Sequence, residues 1–306
     1  MSRQVGTTTR ASKFFYRVLK KRIVAILIVK DGIVVQSIGF NKYLPVGSVA
    51  VCVEFLNKWG TDEIILLDID KTKQGKGPDF KLITEVSKKS FVPLTVGGGI
   101  RNLNDMRKLV HYGADKISIN KLALINPKII KEASSIFGNQ CIVVSMDVKS
   151  NNGRHEIYSD NGKNPTGLDP VKQAEVFESL GAGEILLNSI DGDGSRQGYD
   201  LQIIKKVSKA VSIPVIACGG AGQPKHFLEV FIKTRVLAAA AGNFFHFTEH
   251  SPIILKSFLI KKGIDVRLDT DADYKSVNFM GDGRIIKRPE DYLDKLRFEY
   301  ISEEII

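Results

Sequence analysis

Asp147 is a carboxylate placed where it could exchange a proton with a bound ligand. It ends the mostly apolar run Cys141–Asp147, where an acid would be costly unless it caps a strand at an open mouth. The segment Val143–Lys149 aligns with Val24–Lys30 at an offset of 119 residues (143 − 24), and Ile28 occupies the position equivalent to Asp147. Isoleucine cannot exchange a proton, so only one half of a two-fold site could support acid–base chemistry.

Two further pairs of segments repeat along the chain. Glu63–Asp70 recurs as Glu184–Asp191, and the pair Gly98-Gly99 recurs as Gly219-Gly220. Both pairs have an offset of 121 residues (184 − 63 and 219 − 98). The repetition of strand-like runs and of glycine turns predicts two half-units that place side chains at equivalent strand ends.

Glycine-rich turns follow three of the strand-like runs, at Gly97–Ile100, Gly219–Gly222 and Ala241–Asn243. Such turns lead into helices and expose backbone N–H groups at the positive end of the helix dipole, which favours phosphate. Turns need glycine in any case, so bare turn geometry is the alternative. Two opposed phosphate sites would take an elongated ligand with a phosphate at each end. The candidate phosphate-binding residues are Gly98, Gly99, Asn120, Gly219, Gly220, Gly242 and Asn243.

Other polar residues follow the predicted strands at the same end of the fold. A structural role for any single acid is the alternative, but the set as a whole favours a site that faces a ligand. Besides Asn120 and Asp147, these residues are Asp70, Asn188, Asp191, Asp193 and Ser195.

The opposite strand ends carry a second pattern of charges. Arg22, Glu63, Lys116 and Glu184 each begin a predicted strand, which places two positive and two negative side chains at one mouth. From the residues alone, a salt-bridge plug is the favoured interpretation, because this face of a barrel usually serves stability. Buried ion pairs are weak evidence for stability, which leaves room for a specific role.

The elements that must position these residues alternate between strands and helices. Eight short, nearly all-apolar strands separated by amphipathic helices are typical of a parallel barrel covered by crossover helices. Residues 22–268 supply 247 residues (268 − 22 + 1), close to the ~250 of a (β/α)8 barrel. We therefore predict an α/β fold, a (β/α)8 TIM barrel made of two duplicated (β/α)4 half-barrels. The predicted strands are Arg22–Val29, Glu63–Ile69, Val92–Val96, Lys116–Ile119, Cys141–Asp147, Glu184–Ile190, Ile213–Cys218 and Val236–Ala241.

Two segments lie outside the predicted barrel. Residues 1–21 form a basic N-terminal extension, for which a short helix or frayed tail is favoured over a transit peptide. Residues 269–306 form a C-terminal extension, and the proline and acids at Arg288–Asp291 predict a helix to about Tyr300.

Composition excludes several classes of protein. No apolar run approaches the ~18 residues of a membrane span, and three scattered cysteines indicate reduced thiols in a cytoplasmic protein. The net charge of +10 suits an acidic or phosphorylated ligand, but the aromatic–basic interleaving of nucleic-acid surfaces is not evident. The five histidines show no ligand spacing for a metal, and no cofactor is expected.

Over residues 21–268 the chain resembles the cyclase subunit of imidazole glycerol phosphate synthase. The motifs that carry the resemblance are Lys30-Asp-Gly32, Asp62–Ile69, Val96–Ile100, Gly113–Asn120, Gly181–Leu187, Ser189–Gly194, Gly198-Tyr-Asp200, Gly219–Gly222 and Phe245-His-Phe247. The resemblance implies a duplicated barrel that pairs with a glutaminase subunit, whose ammonia enters at the bottom and reacts with a bisphosphate ligand at the top. It also implies that Arg22, Glu63, Lys116 and Glu184 gate the ammonia, and that Asp115 faces the glutaminase. It therefore replaces the plug interpretation.

The chain departs from that family at the cyclase end. The family uses two aspartates as acid–base catalysts; Asp147 matches one, whereas Ile28 replaces the other. A lysine on a mobile loop aligns with Gln36, and a small hydroxyl residue with Lys121. A threonine and a serine of the family's ligand site are replaced by Asn188 and Asn243.

This pattern resembles a divergent set of paralogues associated with surface-polysaccharide synthesis, which are thought to pass ammonia to a separate sugar amidotransferase. The leading hypothesis is therefore an ammonia-channelling subunit of a glutamine amidotransferase pair. The first alternative is a working cyclase of histidine biosynthesis in which Asp70 or Asp193 replaces the missing aspartate. The second is a scaffold that only activates a glutaminase.

Overall fold

Eight parallel strands close into a barrel in the computed structural model, which describes residues 19–246, 250–269, 274 and 276–286. Around the barrel the order is β1, β4, β5, β6, β7, β10, β11 and β12, and β12 pairs again with β1. The predicted (β/α)8 barrel is confirmed. In chain order the strands are β1 (Arg22–Lys30), β2 (Ile33–Ile38), β3 (Lys42–Gly47), β4 (Glu63–Asp68), β5 (Leu94–Gly97), β6 (Lys116–Ile119), β7 (Ile142–Asn151), β8 (Arg154–Ser159), β9 (Asn164–Pro165), β10 (Glu184–Ser189), β11 (Val215–Cys218) and β12 (Ala238–Ala241).

Helices cover the outside of the barrel, and four of the described helices begin at a side chain that accepts hydrogen bonds from free backbone N–H groups. The Asp200 carboxylate, for example, accepts hydrogen bonds from the backbone N–H of Gln202 and Ile203 at the start of the helix Leu201–Ala210. The described helices are α1 (Val49–Lys58), α2 (Phe80–Ser87), α3 (Leu103–His111), α4 (Lys121–Ile125), α5 (Lys128–Phe137), α6 (Pro170–Ser179), α7 (Leu201–Ala210), α8 (Pro224–Lys233) and α9 (Ser251–Lys261).

Alternation along each strand divides the apolar residues into two layers. Side chains such as Ile23, Ala25 and Leu27 of β1 point outward and pack beneath the helices. Their neighbours Val24 and Ile26 point inward and join a second cluster inside the barrel. The barrel interior is therefore a packed apolar column and not an open pore.

Two antiparallel hairpins extend the barrel at its upper rim, and both are absent from the sequence-based prediction. β2 and β3 follow β1 through the turn Asp31-Gly32, and β8 and β9 follow β7 through the turn Asn152-Gly153. All four turn residues have positive φ, between 49° and 80°, which is the conformation that two-residue hairpin turns need. Asp-Gly and Asn-Gly pairs are the sequence signal that could have located both hairpins.

The two halves of the barrel are equivalent at the level of single hydrogen bonds. The Asp70 carboxylate accepts the backbone N–H of Asp31 at 2.7 Å, and the Asp191 carboxylate accepts that of Ser150 at 2.8 Å. The two acceptors are 121 residues apart (191 − 70) and the two donors 119 (150 − 31). The duplication seen in the sequence is thus preserved in the way each half ties its hairpin to the next strand.

Part of the C-terminal extension packs on the barrel. Residues 278–286 form a short antiparallel turn, with a bridge between Phe279 and Ile285, and the Phe279 ring lies 5.7 Å from that of Phe258 in α9. The helix predicted near Arg288–Tyr300 and the N-terminal residues 1–18 lie outside the described residues. No helix in the described part of the chain is both long and apolar enough to cross a membrane.

A buried ion pair ties α9 to the start of the barrel. The Lys256 ammonium is 2% exposed and donates to the Asp62 carboxylate at 2.7 Å and to the Gly60 carbonyl at 2.6 Å. The other Asp62 oxygen accepts the backbone N–H of Ile23 at 2.7 Å. Burial lowers the pKa of Lys256, and Asp62 opposes that effect.

Removing one member of this pair should destabilise the protein strongly. We expect Asp62→Asn to lower the free energy of unfolding by about 3–5 kcal/mol, because it leaves a buried ammonium without its counter-charge. Urea denaturation of both proteins measures the difference. Asp265→Asn is the control, since Asp265 pairs with Lys20 at 3.8 Å on the surface, and it should change the midpoint little. Equal effects of the two substitutions would contradict this account.

Candidate functional site

Four charged side chains form a closed ring at the N-terminal end of the barrel. Arg22 contacts Glu63 at 2.6 Å and Glu184 at 2.5 Å, and Lys116 contacts the same two glutamates at 3.1 and 2.8 Å. The Thr95 hydroxyl donates to Glu63 Oε1 at 2.8 Å, an oxygen that also accepts the Lys116 ammonium at 3.2 Å. The structure therefore brings together all four charges that the sequence places at strand starts.

The ring forms because each of these residues is the first inward-facing residue of its strand. Glu63 of β4 lies opposite Val24 of β1, and Glu184 of β10 lies opposite Val143 of β7. The charged side chains therefore lie at the same or adjacent heights in the barrel. The Glu63 side chain is only 1% exposed. The ring separates solvent at the bottom from the apolar interior.

An apolar column lies above the ring. Its upper members, Ile28 and Leu67, pack on the interior cluster and also line a cavity at the C-terminal end of the barrel. The interior is thus continuous from the charged ring to that cavity. The fully or nearly buried residues of the column are Val24, Ile26, Ile65, Val143, Leu186, Ile216, Cys218, Ala238 and Ala240.

The cavity has a volume of about 350 Å³ and a mixed lining. Its polar wall includes five of the residues predicted from the sequence: Gly98, Gly99, Asn120, Asp147 and Asn188. The size suits a small-molecule ligand with a few polar groups. We call it the barrel cavity.

Asp147 is the central polar group of the barrel cavity. Its carboxylate accepts hydrogen bonds from the Asn120 amide at 3.1 Å and from the Asn188 amide at 3.4 Å. Burial raises the pKa of Asp147 to about 7, with a further increase from Asp193, against the lowering effect of the two amides. A carboxyl group with a pKa near neutrality can act as a general acid or base under physiological conditions.

Asp68 is a cavity residue that the sequence analysis did not identify. It ends β4, lines the barrel cavity, and has a pKa raised by burial, against hydrogen bonds from the backbone of Asp70 and Lys71. Its equivalent in the second half is Ser189 (189 − 68 = 121), so the duplication is broken here as it is at Ile28 and Asp147. The mismatch between Asp68 and Ser189 is the sequence signal that could have identified this residue.

An ion pair lies in the lining of the barrel cavity. Lys121, at the start of α4, contacts Asp160 at 2.6 Å, and both residues line the cavity. Asp160 also accepts the Asn164 amide at 2.8 Å. The hydrogen bond and charge of Lys121 lower the pKa of Asp160. The cation next to Asn120 is therefore already paired within the chain.

The β2–β3 hairpin is fastened across the other side of the mouth. Asp193 accepts the Ser37 hydroxyl at 2.6 Å and the Phe40 backbone N–H at 3.1 Å. Asn243 accepts the Ser37 N–H at 3.3 Å and donates to the Ser37 carbonyl at 2.8 Å. Two residues predicted to face a ligand or a phosphate thus hold the hairpin in place, and their side chains do not line the barrel cavity.

Three other predicted ligand-facing residues also lie away from the barrel cavity wall. Asp70 and Asp191 bind the backbone of the hairpin that follows the first strand of each half, as described above. Ser195 accepts the backbone N–H of Gln197 at 3.2 Å. These contacts give the three residues structural roles, which the sequence analysis left open as the alternative to ligand binding. A role in ligand binding stays a prediction for each residue.

The duplicated glycines are explained by close packing of the backbone. A Cβ atom on Gly98 would lie 2.1 Å from the Asp68 carbonyl oxygen, and one on Gly219 would lie 2.6 Å from that of Ser189. Gly98 and Gly219 also have φ values of 103° and 93°. The second set, Gly219, Gly220 and Gly242, does not line the barrel cavity. Phosphate binding at either turn stays a prediction.

Asp115 precedes β6 at the end of the barrel where the charged ring lies. It is exposed, and its carboxylate accepts the Leu94 backbone N–H at 2.8 Å, which fixes its orientation. Within the described residues, no group of three or more His, Cys, Asp or Glu side chains is arranged to hold a metal ion.

Comparison with known proteins places most of the chain in one group. The model of the histidine biosynthesis protein family matches residues 22–251. Imidazole glycerol phosphate synthase subunit HisF from Clostridium botulinum (strain Kyoto / Type A2) is 46% identical over 252 residues, which is 82% of this chain and 100% of the relative. A Vibrio vulnificus (strain YJ016) protein, named provisionally as imidazole glycerol phosphate synthase subunit hisF2, is 42% identical over 268 residues, 87% of this chain and 98% of the relative.

The raised pKa of Asp147 predicts a measurable pH dependence of stability. The carboxyl stays protonated in the folded protein up to about pH 7, whereas its unperturbed value is 3.8. The stability of the wild type relative to Asp147→Asn should therefore be highest below the unfolded pKa and fall as pH rises to about 7. We expect a loss of roughly 2–4 kcal/mol, measured by urea denaturation across this range.

Asp160→Asn is the matched control for that experiment. The pKa of Asp160 is lowered, so its contribution is present above the unfolded pKa and is lost as pH falls through the folded pKa. The two variants should therefore deviate from the wild type in opposite directions. A flat difference between the wild type and Asp147→Asn would show that Asp147 is not held in its neutral form.

Proposed function

Because this chain belongs to the histidine biosynthesis protein family, within the imidazole glycerol phosphate synthase cyclase subunits, we propose that it is the synthase-side subunit of a glutamine amidotransferase pair. In this proposal a glutaminase subunit docks at the N-terminal end of the barrel, and ammonia passes through the barrel to the cavity at the other end. In this proposal the barrel of residues 22–268 conducts ammonia. Residues 1–21 and 269–306 are extensions outside the barrel.

The charged ring supports an entrance at the bottom of the barrel. It carries four ionic side chains at the bottom of the barrel and lies directly below an apolar column. Each glutamate pairs with both cations, so a glutamate that loses one ion pair is still held in place by the other cation. We propose that such a partial opening admits ammonia, and that Asp115 contacts the glutaminase beside the ring.

The apolar column supports conduction of the neutral molecule. An ammonium ion would lose its hydration in this column without a counter-charge, whereas neutral ammonia has a much smaller desolvation cost. Ammonia that leaves the column meets Ile28 and Leu67 and then the polar wall of the barrel cavity. In the proposed function, the column therefore excludes the ammonium ion and delivers neutral ammonia, which is the nucleophile.

Ile28 at the barrel cavity is the observation that carries the proposal of a role outside histidine biosynthesis. It lines the same cavity as Asp147, at the position where the cyclase family has its other catalytic aspartate. Lys121 and Asn243, which also depart from the family, are engaged by Asp160 and Ser37. We propose that ammonia is passed on in the cytoplasm to a sugar amidotransferase that amidates a nucleotide-linked amino sugar for surface polysaccharide.

A working cyclase is the second candidate, and one observation favours it. Asp68 lines the barrel cavity and its pKa is raised by burial, so it could supply the second acid–base group. The stand-ins suggested by the sequence are less suitable, because Asp70 binds the Asp31 backbone and Asp193 binds Ser37 and Phe40. A scaffold that only activates a glutaminase is a third candidate, which predicts no effect of Asp147→Asn on the downstream reaction.

Restoring the missing aspartate tests the choice between these functions. We expect the wild type to give no turnover of the bisphosphate substrate of imidazole glycerol phosphate synthase with ammonium salt, and Ile28→Asp to gain it. Restoring one acid–base group is typically worth about 10²–10⁴ in rate. Ile28→Asn is the matched control, since it is polar and similar in size but cannot exchange a proton. Robust turnover by the wild type, lost in Asp68→Asn, would establish the cyclase instead.

Disrupting the charged ring should uncouple glutamine from the downstream product. With a co-purified glutaminase subunit, we expect Lys116→Met to lower glutamine-dependent amidation at least about 10-fold and to release ammonia to solvent, because both glutamates lose one cation. Amidation supported by ammonium salt should be retained. Lys108→Met, on the outer helix α3, is the control. Equal loss with both nitrogen sources would mean that Lys116 only maintains the fold.

A further inference from the structure

A second cavity lies on the flank of the barrel, beside the hairpin of β8 and β9 and the first half of α6 and α7. Its volume is about 560 Å³. None of its lining residues lines the barrel cavity, and none belongs to the three glycine-rich turns predicted to bind phosphate. Its charged lining residues are Arg154, Glu156, Asp169 and Lys206. We call it the flank cavity.

His155 is held in one orientation at the wall of the flank cavity. Its side chain is 5% exposed, and its Nε2 atom lies 2.8 Å from an oxygen of the Asp200 carboxylate. The other oxygen of that carboxylate caps α7, which fixes the position of Asp200. The Nδ1 atom of His155 makes no hydrogen bond within the described part of the chain. When Nε2 carries the proton that Asp200 accepts, Nδ1 is therefore an acceptor for a group that enters the cavity.

The charged side chains of the flank cavity do not neutralise one another. Among the residues that the structure describes, neither Arg154 nor Lys206 forms an ion pair with an acidic side chain. Glu156 accepts a backbone N–H through one oxygen, and Asp169 caps α6 through one of its own. Each cation thus keeps its donors and each carboxylate keeps one oxygen free. Donors and acceptors held apart in one cavity suit a ligand that carries both an anionic group and hydroxyl groups.

Apolar side chains complete the wall of the flank cavity. Leu168, Val171 and Ile203 line it, and Ile203 is only 2% exposed. The C–H faces of a sugar or another polyol can pack on such a surface while its oxygens meet the polar groups. A mostly apolar wall with a few placed polar groups is typical of small-molecule sites.

We propose that the flank cavity binds a small phosphorylated polyol, such as a sugar phosphate. Arg154 and Lys206 would donate hydrogen bonds to the phosphate, for which the planar guanidinium is well matched. The Nδ1 atom of His155 and the free oxygen of Asp169 would accept hydrogen bonds from the hydroxyl groups. This site lies outside the proposed path of ammonia, so either proposal can fail without the other.

Binding of glucose 6-phosphate to the purified full-length chain tests the site by isothermal titration calorimetry. We expect saturable binding, and weaker binding of inorganic phosphate or of glucose. Arg154→Gln and Lys206→Gln should each weaken glucose 6-phosphate about 10-fold to 100-fold, the loss typical of one charge-assisted hydrogen-bonding group. Lys205→Gln is the matched control, because Lys205 is an exposed neighbour on α7 that does not line the cavity.

The imidazole signal of His155 locates the bound molecule. In proton NMR spectra, the C2–H resonance of His155 is assigned by its absence in His155→Phe. Glucose 6-phosphate should shift this resonance with the affinity measured by calorimetry. The resonance of His111, an exposed histidine on α3, should stay in place.

A variant of the barrel cavity separates this site from phosphate binding inside the barrel. Lys121→Ala should change neither the affinity nor the shift of the His155 resonance. A loss of affinity with Lys121→Ala and none with Arg154→Gln or Lys206→Gln would place the ligand in the barrel cavity and overturn the proposal. Absence of saturable binding to the wild type would overturn it as well.

Discussion

Four charged side chains meet at the bottom of the barrel, where Glu63 and Glu184 are buried, and the remaining architecture depends on how the four charges neutralise one another. Arg22 and Lys116 each contact both Glu63 and Glu184, so no single charge is without a partner of opposite sign. An isolated buried charge there would cost several kcal/mol. Because the ring is internally balanced, the strands can begin with ionic residues and continue at once into an apolar column.

The duplicated halves have kept the contacts that build the barrel and lost equivalence where ligands would bind. Gly98 and Gly219 approach equivalent carbonyl groups, and Asp70 and Asp191 tie equivalent hairpins. At the cavity, the first half supplies Asp68 and the second half supplies Asp147. Symmetry is thus preserved by backbone geometry, which tolerates few residue types, while side chains at the strand ends have changed independently.

Much of the fold could be predicted because its signals are local. Each barrel strand is a short apolar run, and a helix such as α7 begins directly after Asp200, a residue type that commonly caps helices. The strand predicted to end at Asp147 continues to Asn151, because Asn152-Gly153 turns it into a hairpin. The cavity could not be predicted in the same way. The pairing of Asn243 with Ser37 joins residues 206 positions apart, and no local pattern encodes it.

Each rim hairpin ends in a strand whose free edge could pair with a strand of another molecule. β3 and β9 each pair on one side only, which leaves the outer backbone of each strand available to another strand. Each contains a proline, Pro45 in β3 and Pro165 in β9, and proline has no N–H to offer a neighbour. Lys42 adds a charge that a second strand would have to bury. The edges that close the mouth are thereby protected against aggregation.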